Sequence, residues 1–211
     1  ILVRPDGGRV LVFAGGLQSS GIPPQWAATP KRPGVNFLRD LSARTAGDIA
    51  AAVEIHKRPG DVVVVSLHWG GNWGYDIPAA HRRFARELID EADVDLVHGH
   101  SSHHPLGLEV YRGRPILYGC GDLIDDYEGI RRYEQYRIEL ALLYLVTLDR
   151  QRGELVSLDM VPMRRQRFRL ERASPEETDW LAKTLDRECR LLGTQVIRTG
   201  EGTLRLAWEG Q

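Results

Sequence analysis

Asp61-Val62-Val63-Val64-Val65-Ser66-Leu67-His68 and Val94-Asp95-Leu96-Val97-His98-Gly99-His100-Ser101-Ser102-His103-His104 are the two stretches that decide how this chain folds. Each is a short apolar run that ends on histidine. Four consecutive valines suit a strand covered on both faces, and Asp93–Val97 reads as a second such strand. Five of the seven histidines therefore fall within one loop's length of a predicted strand end. Such an end suits a site, because the sheet fixes the backbone while the loop lets side chains converge in a crevice.

Outward from these strands the pattern alternates. A strand is predicted at Arg9–Ala14, followed by a Gly/Pro-rich loop, Gly15–Val35, too long for a simple connector and so functional or flexible. A helix follows at Arg44–Lys57, with Ile49, Ala52, Val53 and His56 at inward spacing and Arg58-Pro59-Gly60 as its stop. Asp76 and Pro78 open a second helix to Ala92, with Phe84, Leu88 and Ala92 along one stripe and arginines opposite. Strand, helix, strand, helix, strand argues for a layered α/β sheet.

From Leu106 the pattern changes to hairpins: Gly107–Tyr111 with Ile116–Cys120, Arg137–Leu148 with Glu154–Met163, and Thr194–Arg198 with Thr203–Trp208 across Gly200-Glu201-Gly202. Leu140–Val146 reads as a buried strand. A late helix is marked by the capping box Ser174-Pro175-Glu176-Glu177 and ends near Gly193. The expected fold is α/β with an antiparallel second half, one domain over residues 1–211.

A chain of 211 residues with a formal net charge of -1 suits one domain or part of a larger one, and gives no sign of a nucleic-acid or membrane partner. No apolar run reaches the length of a membrane span. Arg164, Arg165, Arg167 and Arg169 alternate with Phe168 and Leu170, which reads as a solvated strand face, with a phosphate-contacting strip as the alternative. Cys120 and Cys189 fit free, packed thiols of a reducing compartment. The chain opens at Ile1 and is almost at once in a strand, as if it began mid-domain, so its cellular address and oligomeric state are left open.

The chemistry concentrates at the histidines. His100 and His103 are three apart in what reads as a loop, where Gly99 would allow a backbone angle other residues resist. Neutral imidazole suits zinc, iron, manganese or a related divalent ion, so these two are metal-ligand candidates. His98 and His104 are candidates for hydrogen bonding behind the ligands or for contacting substrate. His68 is a third ligand or an acid/base group, set against a structural role. In the loop after it, Trp69, Asn72 and Tyr75 are the substrate-contact candidates, while packing or a lid is the other reading of its aromatics. Asp122 is the best-placed carboxylate; Asp125 and Asp126 read as solvated loop, and Glu109 as a buttress for a histidine. A Gly-x-Ser-x-Gly elbow, a phosphate loop and Cys-x-x-Cys are all absent, and Ser101 and Ser102 have no recognisable acid partner.

Over Asp61–Ile130, the motifs His68-Trp69-Gly70, Val94 to His103, Gly107-Leu108-Glu109-Val110-Tyr111-Arg112-Gly113 and Pro115-Ile116-Leu117-Tyr118-Gly119-Cys120-Gly121-Asp122 resemble the CapA family of bacterial poly-γ-glutamate capsule synthesis proteins. The resemblance implies a calcineurin-like metallophosphoesterase fold, a layered α/β/β/α sandwich with mixed sheets. It implies metal ligation by a histidine after a strand, matching His68, and by a Gly-His-x-x-His loop, matching Gly99, His100 and His103. Asp122 stands where the family has asparagine in a Gly-Asn-Phe motif. The family's early Gly-Asp and Asn-Asn-His motifs have no counterpart here, the only asparagines being Asn36 and Asn72. The chain is thus expected to correspond to the C-terminal portion of such a domain, with roughly half of a metal site.

The leading functional expectation is a metal-dependent phosphoesterase-like hydrolase tied to capsule or cell-envelope polymer synthesis. One or two divalent ions, with Mn, Fe, Zn and Ca undistinguished, would be held by His68, His100 and His103, and His98, His104 or Asp122 would serve catalysis. A non-hydrolytic binding or export module for an anionic polymer such as poly-γ-glutamate is the alternative, with Arg82, Arg83 and Arg86 as a source of positive charge. A metal-independent histidine acid/base epimerase is the third.

Overall fold

The valine run forms a central strand. In the computed structural model, which describes residues 1–3, 8–125, 132–200 and 202–210, β4 (Val62–His68) lies between β2 (Arg9–Leu17) and β5 (Leu96–His100), all parallel. On one flank of β2 sit β1 (Leu2–Val3), antiparallel, and β3 (Phe37–Leu38), parallel. Beyond β5 come β7 (Arg114–Leu117), parallel, and β6 (Leu108–Tyr111), closed onto β7 as a hairpin by Arg112 and Gly113 at φ 50 and 75. Two left-handed residues in a row are what a tight hairpin turn demands.

Side chains alternate along each strand. Val63, Val65 and Leu67 of β4 and Val97 of β5 face one way, into a core with α1 (Ala43–His56) and α2 (Ala79–Ala92). Ser42 caps α1, its Oγ accepting from the Thr45 amide, and the stripe Phe84, Leu88 and Ala92 of α2 is buried as expected. Full burial of Phe84 and Leu88 contributes roughly 2–3 kcal/mol each. Ser66, His68, His98 and His100 point to the opposite face of the sheet by the same alternation.

That opposite face meets a second, antiparallel sheet: β8 (Leu140–Leu148), β9 (Leu155–Gln166), β10 (Arg169–Arg172), β11 (Thr194–Arg198) and β12 (Leu204–Trp208), with β9 paired to β8, β10 and β12. Leu142, Leu158, Met160, Leu204 and Leu206 form a second core with Leu108 and Leu117 of the first sheet and with Leu181, Leu185 and Cys189 of α3 (Pro175–Arg190). The capping box opens α3 as expected, with Ser174 and Glu177 each bonding the other's backbone.

The structure departs from the expected layering in one respect. Helices α1 and α2, the first sheet and the second sheet stack as anticipated, but α3 lies on the inner side of the second sheet rather than outside it. The buried side chains of β8, β9, β11 and β12 share one core with Leu181, Leu185 and Cys189 of α3. Leu143 and Leu145 of β8, Val156 of β9 and Ile197 of β11 are 39%, 49%, 52% and 48% exposed on the other face, so Leu140–Val146 is buried on both faces over Leu140–Leu142 and on one face beyond it. Both cysteines are free thiols, and no helix of the described residues is long and apolar enough to cross a membrane. Asp126, Ile130 and Glu201 lie outside the described residues.

Candidate functional site

In the second histidine stretch, His98, Gly99 and His100 are strand, not the expected loop. Their parallel register puts His98 beside Ser66 and His100 beside His68, and His98 opposite Leu117 of β7. Gly99 is needed for space and not for a positive φ. A Cβ there would lie 2.2 Å from the Tyr118 carbonyl oxygen and 2.5 Å from Trp69 Nε1. The backbone strain falls two residues later, at Ser101, whose φ of 141° is unusual for a residue with a side chain and whose Oγ donates to the Gly70 carbonyl.

Three imidazoles thus form a row on one sheet face. His68 Nδ1 and His100 Nδ1 are 3.1 Å apart, with ring centroids at 5.0 Å. His98 stands 5.4 Å from His100 by centroids, and its Nδ1 is 3.0 Å from Ser66 Oγ. Burial lowers the pKa of all three, that of His100 to about 4 with help from the neighbouring His98 and His68, so the row is uncharged at neutral pH. Neutral imidazoles are the form that ligates metal.

His103 approaches from the loop after β5. Its amide donates to the Asn72 carbonyl at 3.1 Å, and its Nδ1 meets Asp122 Oδ2 at 2.8 Å. A carboxylate only accepts, so Nδ1 carries the proton and the Nε2 of a neutral ring keeps its lone pair. Behind this pair, Arg165 of β9 approaches Asp122 at 3.6 Å and forms an ion pair with Asp125. Asp125, expected in a solvated loop, is instead half-buried on that guanidinium.

Other candidates sit away from open chemistry. His104 has no exposed surface; its ring stacks on Tyr136 at 4.4 Å, meets Tyr75 edge-on at 4.7 Å, and is held by burial at a pKa of about 4. Trp69, expected to touch substrate, is 3% exposed, stacks on His81 at 4.5 Å and donates Nε1–H to the Tyr118 carbonyl. Its role is packing. Tyr75 lies half-buried between His104 and Arg187, whose guanidinium carbon is 5.1 Å from the ring, and burial pushes its phenol up to about 12. Asn72 is exposed beside His103 and is left as the substrate-contact candidate of this loop.

Glu109 buttresses no histidine. It is 2% exposed and takes hydrogen bonds from Arg86 and, at 2.7 Å, from the Tyr118 hydroxyl. Arg82 approaches the same carboxylate at 3.7 Å, so part of the expected positive face of α2 is spent on an internal ion pair. Sequence reading missed Ser66 and Trp73, and took Arg165 for part of a solvated strand face, whereas its side chain is largely buried on Asp122 and Asp125. Trp73 stacks on Tyr133 at 3.9 Å and lies 5.0 Å from His103, fixing the loop wall beside the site. The signal for Ser66 was available, since it sits two residues before His68 on the same face.

A cleft of about 900 Å³ opens at the other end of the sheet, lined by Lys57, Asp61, Asp95 and Arg114 among others. These four are paired: Lys57 with Asp93, Asp61 with Arg9, and Asp95 with Arg114 at 3.0 Å and the Val63 amide at 2.8 Å. The histidine crevice is the chemically equipped site.

The family described as bacterial capsule synthesis protein PGA_cap matches residues 1–127. A probable polyglutamine synthesis accessory protein of Mycobacterium tuberculosis (strain CDC 1551 / Oshkosh) is 51% identical over 199 residues, covering 94% of this chain and 52% of that protein. The PGA biosynthesis protein CapA of Bacillus subtilis (strain 168) is 37% identical over 70 residues, 33% of this chain and 18% of that protein. The capsule biosynthesis protein CapA of Bacillus anthracis is 28% identical over 134 residues, 60% of this chain and 32% of that protein. The chain spans about half the length of the Mycobacterium relative. Since the family match takes in 127 of the 211 residues, including His68, His98, His100 and His103, the chain belongs to the CapA family of bacterial capsule synthesis proteins.

Proposed function

We propose that this chain carries the histidine side of a metal-dependent, phosphoesterase-like hydrolase acting in the synthesis of capsule or cell-envelope polyglutamate. The observation that carries this reading is the 3.1 Å separation of His68 Nδ1 and His100 Nδ1. Two imidazole nitrogens bound about 2.0–2.1 Å from a single ion lie roughly 3.0–3.4 Å from each other, so the pair has the spacing of two ligands. Two sheets with the histidines on their facing side support a metallophosphoesterase-type sandwich, and the family's capsule role supports the process.

In this reading His68 and His100 would hold a divalent ion, with His103 as the third ligand. Such an ion supplies positive charge that polarises a phosphoryl or acyl oxygen. Asp122 holds the proton on His103 Nδ1 and aims the opposite nitrogen, the arrangement a ligating histidine or a general base both require. His98, fixed by Ser66 and neutral, is the residue left to pass a proton to a leaving group. His104 and Trp73 keep the loop in place and exclude water from its inner side.

One observation favours a second reading, a polymer-binding module without hydrolysis. Among the described residues no group of three His, Cys, Asp or Glu side chains is already gathered for one ion. Elemental analysis after exhaustive dialysis, beside a His100→Ala/His103→Ala variant, tests the choice. Near-stoichiometric metal lost in the variant, with phosphoester hydrolysis lost in chelator, is expected of the hydrolase. Polymer binding that survives chelation with no metal in either protein would replace it with the binding module.

A further inference from the structure

The segment Arg164-Arg165-Gln166-Arg167-Phe168-Arg169-Leu170-Glu171-Arg172 holds five arginines and one acid in nine residues. It is the β9–β10 hairpin, and its ion pairs divide the set. Arg164 pairs with Glu177 at 3.1 Å, and Arg165 with Asp125 and Asp122. Arg167, Arg169 and Arg172 are exposed, and among the described residues none of them makes an ion pair.

At the tip Gln166 faces Arg169 across the ladder, leaving Arg167 and Phe168 as a two-residue turn with both residues left-handed, at φ 51 and 56. Asn-Gly fills such a turn without strain, whereas bulky L-residues adopt it at a steric cost. The cost is sustained by a turn that displays a guanidinium and a phenyl ring, and Phe168 is 66% exposed. At about 3.3 Å per residue the tip stands roughly 7–10 Å from Arg165, which itself contacts the Asp122–His103 pair. The hairpin is therefore an arm that leads away from the histidine crevice.

We infer that this arm docks a flexible carboxylate-bearing polymer: Arg167 and Arg169 pair with successive carboxylates, Phe168 covers the methylene stretch between them, and Arg165 marks where the polymer enters the site. Arginine forks suit carboxylates, and Arg167 and Arg169, two residues apart, present charges roughly 6–7 Å apart, a repeat that an extended polymer can follow, whereas Arg172, three residues beyond Arg169, lies on the opposite face of β10. A nucleic-acid duplex needs a basic surface broader than one hairpin, and here the exposed arginines are interrupted by Glu171. A bilayer needs more apolar area than one phenyl ring. The inference rests on the anionic-polymer part of the proposed function and not on metal or hydrolysis.

Fluorescence anisotropy of labelled poly-γ-glutamate on the whole chain tests it, with two variants. Arg167→Asn/Phe168→Gly restores an unstrained turn while removing the tip's charge and ring; Arg169→Gln leaves the turn untouched. Each is expected to weaken binding by about tenfold or more and to flatten its salt dependence, with the thermal midpoint of the first variant unchanged or raised. Unchanged affinity in both variants would overturn the arm while leaving polymer binding intact. No binding by the unmodified chain would overturn the arm and the anionic-polymer reading together. Tighter binding of oligothymidylate or of anionic vesicles than of the polymer, at matched charge, would overturn the choice of ligand.

Discussion

Nδ1 of His103 donates to Oδ2 of Asp122 at 2.8 Å, across the gap between the loop after β5 and the loop after β7. The aspartate stands where the resemblance leads one to expect asparagine, and it fixes which imidazole nitrogen carries the proton in this contact. Asp122→Ala should lower metal affinity, and with it any hydrolysis, by about 10–100-fold. Asp122→Asn, which can still accept through Oδ1, should lose less. Metal titration of the three proteins checks the order, and an asparagine variant as poor as the alanine one would show that the charge matters and not the tautomer.

His68→Ala and His100→Ala should each abolish tight metal binding, and the double variant should be no worse than either single, because two ligands of one ion act as a unit. Elemental analysis of dialysed protein gives the result directly. Full metal retention in both single variants would place the ion elsewhere.

Gly99→Ala pushes a methyl group against the Tyr118 carbonyl and Trp69 Nε1, both fixed by a hydrogen bond to each other. The strands β5 and β7 would have to separate, at a cost of about 1–3 kcal/mol, and the histidine row would move with β5. Urea denaturation should show the loss of stability, and the same protein should bind metal more weakly.

Glu109 is buried under α2 with Arg86 and the Tyr118 hydroxyl as partners. Glu109→Ala leaves both groups unpaired, although Arg86 can turn toward water because its side chain is 39% exposed. The expected destabilisation is about 2–3 kcal/mol, below that of a fully buried pair. Metal binding should be unaffected, since no histidine of the row touches Glu109.

Stability should also fall with acid. His81 is buried against Trp69, and burial lowers its pKa below 6.5. The unfolded chain therefore takes up a proton before the folded one does, so stability is full above about pH 6.5 and declines as pH drops toward the folded pKa. In His81→Phe, which keeps the stack without a titrating group, the decline below pH 6.5 should be shallower in thermal melts.

The strands and helices were largely legible because their signals are local. The valine run, the stripe Phe84–Leu88–Ala92 and the capping box at Ser174 each specify an element from neighbouring residues alone, and all three are where the sequence places them. Boundaries were less legible where pairing decides them: β5 runs on through His100 because β4 offers His68 as a partner, a fact no window around His100 contains.

By itself the sequence determined the element types, the family and the concentration of histidines at two strand ends, since composition and periodicity act over a few residues. Only the tertiary structure decided that His68 and His100 meet at 3.1 Å, that His103 belongs to Asp122, and that His104 and Trp69 are sealed in packing. The placement of α3 inside the second sheet, and the reach of Arg165 to Asp122, were likewise settled there. Each of these depends on register and layer contacts between segments 19 to 43 residues apart or more, for example His103 and Asp122 or Asp122 and Arg165. Cross-strand register places side chains on a common face, and that register is set by how whole sheets bury their apolar sides.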